Sequence, residues 1–319
     1  MKYISLLFII SIFISNCNKK ELILPDEGPV TELTAGWSIQ DAYSSSDIFF
    51  INPRVGFMGG QYLQRSLDSG KTWNIFSNTT LISSGINNVG VGSVQNACFV
   101  GASSAYQSSN PRLYFSKDTA KTFTIYNKDY FYDCFYTSAD TCYVTAKNYI
   151  WKTKNGGETL DSVYKFPVAG RSYTTLFFLN SAKGWISSDS LLYSTQNGAA
   201  DLTLLKTFSE PISVIQFVNE SVGFVSTSKG VYKTTDSGIN WVAIATETVQ
   251  NTFIDIHFFN ALNGYYSSNK SIYKTTDGGS TWNKVVTSSG DLGIIEMHFT
   301  DENHGWACTY TNKLLRYNK

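Results

Sequence analysis

Two pairs of side chains in the last third of the chain have the residue types of a chemical site: Asp255-Ile-His257 and Glu296-Met-His298. Side chains two apart on a strand share a face, so each carboxylate lies beside its own imidazole. Two such pairs brought together would offer ligands to a metal, or an acid and a base for proton transfer. The pairs stand 41 residues apart, and each is followed by Phe and then, two residues later, by Asn260 or Asp301. The element that carries one is therefore a copy of the element that carries the other.

The copying extends to the segments that precede these pairs. Gly230-Val-Tyr-Lys-Thr-Thr-Asp-Ser-Gly-Ile-Asn-Trp-Val242 is rewritten as Ser271-Ile-Tyr-Lys-Thr-Thr-Asp-Gly-Gly-Ser-Thr-Trp-Asn283. A period near forty residues implies a modular all-β architecture. In each copy an aromatic strand runs into a Thr-x-Asp-x-Gly-x-x-Trp box and then a second strand, which places the box on a hairpin turn. The hydroxyl and carboxylate of Thr234 and Asp236, and of Thr275 and Asp277, accept turn amides. Gly238 and Gly279 supply positive φ, and Trp241 and Trp282 cap the turn. This is turn chemistry rather than catalysis. Ser66, Asp68, Gly70 and Trp73 make a third complete box. Degenerate copies are read at Ser116-x-Asp118 with Ala120 and Phe123, Thr153-x-Asn155-x-Gly157 with Leu160, and Ser194-x-Gln196-x-Gly198.

A second element precedes most boxes: an apolar strand, an Asn or Asp, then a Gly-aromatic pair. Examples are Phe49-Phe-Ile-Asn52 with Gly56-Phe57 and Phe258-Phe-Asn260 with Gly264-Tyr265. The last copy, Phe299-Thr-Asp301 with Gly305-Trp306, has no box after it. Thr34-Ala-Gly-Trp37-Ser-Ile39 reads like the strand that follows a box but has none before it. Joining the two ends gives six full four-stranded units and one shared unit, hence an all-β seven-bladed β-propeller whose last blade is closed by an N-terminal strand.

These boxes resemble the bacterial neuraminidase repeat, or Asp-box, propellers. They are most similar to the photosystem II stability and assembly factor-like group, which also pairs the apolar strand and Gly-aromatic element with Lys-Thr-Thr-Asp-Gly-Gly-x-Thr-Trp. The likeness covers roughly residues 46–317. In that group Asp-Ile-His-Phe belongs to the repeat itself, so the resemblance implies a structural role for Asp255, His257, Glu296 and His298, with no metal and no cofactor. Asp boxes also occur in sialidases and xyloglucanases, so the box specifies fold rather than activity.

The first residues follow another logic. Lys2 precedes an apolar run over 4–14 that is too short for a membrane span. Ile14-Ser15-Asn16-Cys17 resembles a bacterial lipobox, with Asn16 in place of the usual Gly or Ala. The resemblance implies a signal peptide over 1–16 and lipidation of Cys17. A polar tether with Pro25 and Pro29 runs to residue 33, and the propeller occupies 34–319. The expected location is the bacterial cell envelope, anchored to the outer membrane by lipid and facing either the periplasm or the surface. Cys134 and Cys142 flank a turn-like segment, and the sequence leaves open whether they bridge or stay free thiols.

Charge is balanced, with 25 basic and 25 acidic residues, which gives nucleic acid no electrostatic footprint. A sialidase resemblance would require three arginines around a substrate carboxylate. Of Arg54, Arg65, Arg112, Arg171 and Arg316, Arg65 and Arg316 align with strand lysines and Arg54 lies at the box end. Xyloglucanase-like enzymes resemble two propellers, and this chain has residues for one. The expected function is a monomeric, non-catalytic scaffold for a protein partner. A carbohydrate-binding or glycoside hydrolase propeller is the alternative, with a glycan as ligand. Recognition is expected on loops opposite the boxes, at Tyr106, Arg112, Tyr130, Tyr132, Arg171 and Tyr173, with Phe131 packed between blades.

Overall fold

The apolar strand and the Gly-aromatic pair exist for each other. Phe50, Phe178, Phe217, Phe258 and Phe299 each pair across the ladder with the glycine that opens the next strand: Gly56, Gly184, Gly223, Gly264 and Gly305. A Cβ on these glycines would lie 2.2–2.6 Å from the phenyl ring, so only glycine leaves it room. The aromatic residue after the glycine then stacks on the inner-strand ring of the next blade. Trp185 lies 3.4 Å from Phe217 between centroids, Phe224 lies 3.4 Å from Phe258, and Trp306 lies 3.5 Å from Phe50. The repeat seen in the sequence is thus the packing between blades, and the Trp306–Phe50 contact joins the last blade to the first.

The computed structural model describes residues 31–319 except 44, 76–85, 94, 102–111, 128, 168–173, 247–252, 269 and 289–291. The expected signal segment 1–16, Cys17 and the tether as far as residue 30 lie outside these residues, as do Tyr106, Arg171 and Tyr173. Seven antiparallel sheets form the seven blades of a propeller. The seventh blade takes its outer strand from β2 (Trp37–Asp41), which pairs with Lys313–Asn318, so the closure expected from the chain ends is present. Just before it, β1 (Thr31–Leu33) adds a fifth strand to the sixth blade by pairing with Asn283–Ser288. Strand pairing therefore begins three residues before the boundary at 34.

The box turns share one hydrogen-bond pattern. A Ser or Thr hydroxyl accepts the amide four residues on at 2.8–3.1 Å, and the Asp or Asn two residues on accepts the amide four beyond itself at 2.8–3.0 Å. Two successive positive-φ residues complete each turn, as at Gly278 and Gly279. Bonds from Thr281 and Thr275 hold the Asp277 carboxyl at about 2. The fourth copy corrects the sequence reading by one residue. Its acceptors are Thr195 and Asn197, and Ala199 rather than Gly198 sits at the second positive-φ position. Thr195 rather than Ser194 points into the blade, and Gly198 occupies the first left-handed position, which is what misaligned the motif.

Cys134 and Cys142 are buried, the Cys134 thiol donating to Oδ1 of Asn88 at 3.1 Å and the Cys142 thiol to the Tyr143 carbonyl at 3.4 Å. They pair with Val144 and Tyr136 respectively, which offsets them along the ladder.

Candidate functional site

Seven inner strands line a central cavity of about 270 Å³. In six of them the ladder slips by a β-bulge near the first residue, as between Ser45 and Asp47, Phe131 and Asp133, and Ile294 and Glu296. A bulge re-aims the side chains beside it. Here it turns a tier of residues toward the cavity: Asp47, Asn88, Asp133, Val214, Asp255 and Glu296, with Thr175 from the fourth blade. Two residues deeper a second tier contains Gln216, His257 and His298 among Phe49, Phe135 and Phe177.

Most of the first tier is tied to the backbone of the following blade. Asp47 accepts the Val89 amide at 2.6 Å, Asn88 the Cys134 amide at 3.2 Å, Asp133 the Leu176 amide at 3.1 Å, and Asp255 the Met297 amide at 2.6 Å. Asp133 also accepts the Thr175 hydroxyl at 2.9 Å. In the second tier Gln216 clamps the Phe258 amide and carbonyl, and Nε2 of His298 donates to the Phe50 carbonyl at 2.8 Å. Most of these bonds join strands about forty residues apart in sequence, the His298 bond joins the last blade to the first, and together they hold the ring around its axis. Glu296 differs: among the described residues its carboxylate has no hydrogen-bond partner, and it lines both the central cavity and the mouth above it.

Four carboxylates in so small a space do not behave as surface acids. Burial pushes Asp133 and Asp255 up to about 7 and Asp47 well above the carboxylate range. Glu296 is raised by burial and then by Asp255, Asp47 and Asp133. Burial brings His257 down to about 3, helped by His298, and His298 itself to about 4. Glu296, Asp133 and both histidines are only partly covered, and all four line the cavity. At neutral pH both imidazoles are uncharged. His257 and His298 lie 6.1 Å apart edge to face, and among the described residues neither hydrogen-bonds a carboxylate. No group of three or more His, Cys, Asp or Glu among those residues could hold a metal ion.

Sequence reasoning missed Asp47, Asn88 and Asp133. The signal was available for two of them: Asp47-Ile-Phe-Phe-Ile-Asn52 has the frame of Asp255-Ile-His-Phe-Phe-Asn260, and Asp133 stands five residues before Ser138, whose hydroxyl caps the same kind of turn. Neither is followed by a His two residues on, as Asp255 and Glu296 are.

Above the first tier the channel widens into a mouth cavity of about 620 Å³, bordered by Tyr132, Asp133, Thr175, Pro211, Ile212 and Glu296. Of the predicted binding residues, three are described, and they occupy different places. Tyr132 lines the mouth, whereas Tyr130 is exposed outside it with Lys147 over its ring, and half-buried Arg112 is engaged with the Tyr114 hydroxyl. Phe131 is buried.

No protein-family model and no curated protein matches the chain. Solved structures do. YCF48 bound to a D1 peptide superimposes with a TM-score of 0.72 at 16% identity, over 92% of this chain and 100% of the other. The GH74 xyloglucanase from Xanthomonas campestris gives 0.70 at 10% identity, over 91% of this chain and 54% of the other. Virginiamycin B lyase from Staphylococcus aureus gives 0.70 at 11% identity, over 91% and 100%. At these identities the likeness is one of fold: the chain is a seven-bladed propeller, a scaffold that peptide binders and enzymes share.

Proposed function

We propose that this propeller is a non-catalytic Asp-box scaffold that binds a protein partner at its mouth and is held in the bacterial envelope by lipid on Cys17. The mouth cavity is the observation that carries the reading. Its volume lies within the ~300–1,000 Å³ typical of binding sites, and it combines an aromatic ring, apolar Pro211 and Ile212, and the unpartnered Glu296 carboxylate. Such a surface suits an extended peptide that brings an apolar side chain and a hydrogen-bond donor. That YCF48, with the same fold, is bound to a D1 peptide supports a peptide ligand. Against catalysis stand the backbone bonds that occupy Asp47, Asp133 and Asp255 and, among the described residues, the absence of carboxylate bonds to His257 and His298. The Ile14-Ser15-Asn16-Cys17 segment supports the anchor.

Two measurements test the reading. Peptides tiled from a partner cross-linked to the lipidated protein should bind the purified propeller. Tyr132→Ala and Glu296→Gln should each weaken that binding by about tenfold or more, the loss typical of a central contact. Binding indifferent to both variants would rule out the mouth as the binding site. Turnover of sialosides or β-glucans that disappears in Glu296→Gln would favour the glycoside hydrolase alternative. Separately, Cys17→Ala should stop incorporation of labelled fatty acid and release the protein from membranes. Continued labelling and sedimentation would refute the anchor.

A further inference from the structure

The residue two positions before the first hydroxyl of each box turn is aromatic in five blades: Tyr114, Trp151, Tyr193, Tyr232 and Tyr273. In the first blade it is Gln64. Facing this position across the blade seam is the residue that follows the preceding outer strand, identified by the bond from its amide to the loop of its own blade. It is Phe166 opposite Tyr193, at 6.4 Å between rings, and Phe208 opposite Tyr232, at 5.3 Å. At the seam where the ring closes it is Ala42. Where those two seams hold a pair of rings, the closing seam holds Gln and Ala, and a cavity of about 340 Å³ opens there.

The cavity has a chemically defined lining. Gln64 is 0% exposed, and neither its Nε2 nor its Oε1 has a hydrogen-bond partner among the described residues. A buried amide with both ends unmet carries its full desolvation penalty, a cost relieved by a ligand that offers an adjacent donor and acceptor. Trp73 and Tyr43 wall the space, and Tyr43, half exposed, meets Tyr62 edge to face at 5.6 Å. Lys71 stands at the rim beside Asp41, whose carboxylate is ion-paired with Lys313.

We propose that this seam binds a neutral pyranose ring. Vicinal hydroxyls of a sugar present the donor and acceptor pair that the Gln64 amide lacks, and its C–H face suits the rings of Trp73 and Tyr43. At the low end of the ~300–1,000 Å³ range for small-molecule sites, the cavity fits a single ring system better than a peptide strand. The site is separate from the mouth and does not depend on the function assigned there.

The test uses the full-length protein titrated with methyl β-D-glucopyranoside, methyl β-D-galactopyranoside and N-acetylglucosamine, read by tryptophan fluorescence and saturation-transfer NMR. At least one should bind with a millimolar Kd. Gln64→Ala should weaken it roughly tenfold. Gln64→Tyr, which restores the residue type of the other blades, should abolish binding and raise the Tm. Should Gln64→Tyr fail to fold, Tyr43→Ala, at an exposed position, should weaken binding instead. Glu296→Gln should leave sugar binding unchanged, which separates this site from the mouth. No binding by any of the three sugars, binding that survives Gln64→Tyr, or preferential binding of the tripeptide Gly-Asn-Gly would each overturn the assignment.

Discussion

Deleting residues 34–43 is expected to destroy most of the cooperative stability of the ring and to make the protein self-associate. The deletion removes β2 and leaves the Lys313–Asn318 strand with an open edge, a template for pairing with another chain. It also removes Trp37, which is buried against Tyr317, Phe299 and Tyr265 at centroid distances of 5.2, 6.2 and 6.4 Å. Emptying such a site by Trp37→Ala alone should cost about 3–5 kcal/mol, against a total stability of roughly 5–15 kcal/mol for a typical domain. Urea unfolding and size-exclusion chromatography provide the measurements. A deletion variant that keeps the wild-type midpoint and elutes as a monomer would show that the ring does not need its N-terminal strand.

The next largest effect is expected at the axis. Asp255→Ala leaves the buried Ile256 and Met297 amides without their acceptor. Each such loss typically costs ~1–3 kcal/mol, so the variant should be destabilised by about 2–6 kcal/mol near pH 5. The penalty should depend on pH with a definite sign. The folded-state value of about 7 lies above the ordinary value for Asp, ~3.9, so between these limits the native state holds a proton that the unfolded chain has released. The stability linked to that proton is fully present below the unfolded value and is lost as pH rises through about 7. The alanine variant has no such proton, so the gap between it and the wild type should narrow as pH rises across that window. His257 and His298, lowered to about 3 and 4, shift stability in the opposite direction, but they are present in both proteins and largely cancel in the difference. A gap that widens with pH would mean that Asp255 is charged and stabilised in the native state.

Much of this molecule is written in short range. The box turns form because a hydroxyl and a carboxylate reach amides four residues away, and the Gly-aromatic pair marks where an inner-strand ring needs space. Both signals lie within a dozen residues, so the blades, their number and the shared closing blade were legible from residue types and spacing. The one-residue error at Thr195 came from the same source. Adjacent Ser194 and Thr195 offer equivalent hydroxyls to a reader of sequence, and only backbone geometry shows which side chain faces the turn.

What the tertiary structure decided involves residues a full blade or more apart. Asp47, Asn88 and Asp133 joined Asp255 and Glu296 because ring closure brings the starts of seven strands to one axis, where bulges turn them inward. The elevated carboxyls, the neutral histidines and the unpartnered Glu296 follow from that crowding and from exclusion of solvent, neither of which is a property of any local segment. The Gln64 cavity has the same origin. Ala42 and Gln64 are ordinary residues in sequence, and they make a pocket only because the seam between the last and first blades sets one against the other, where Phe208 and Tyr232 fill the equivalent space with two rings.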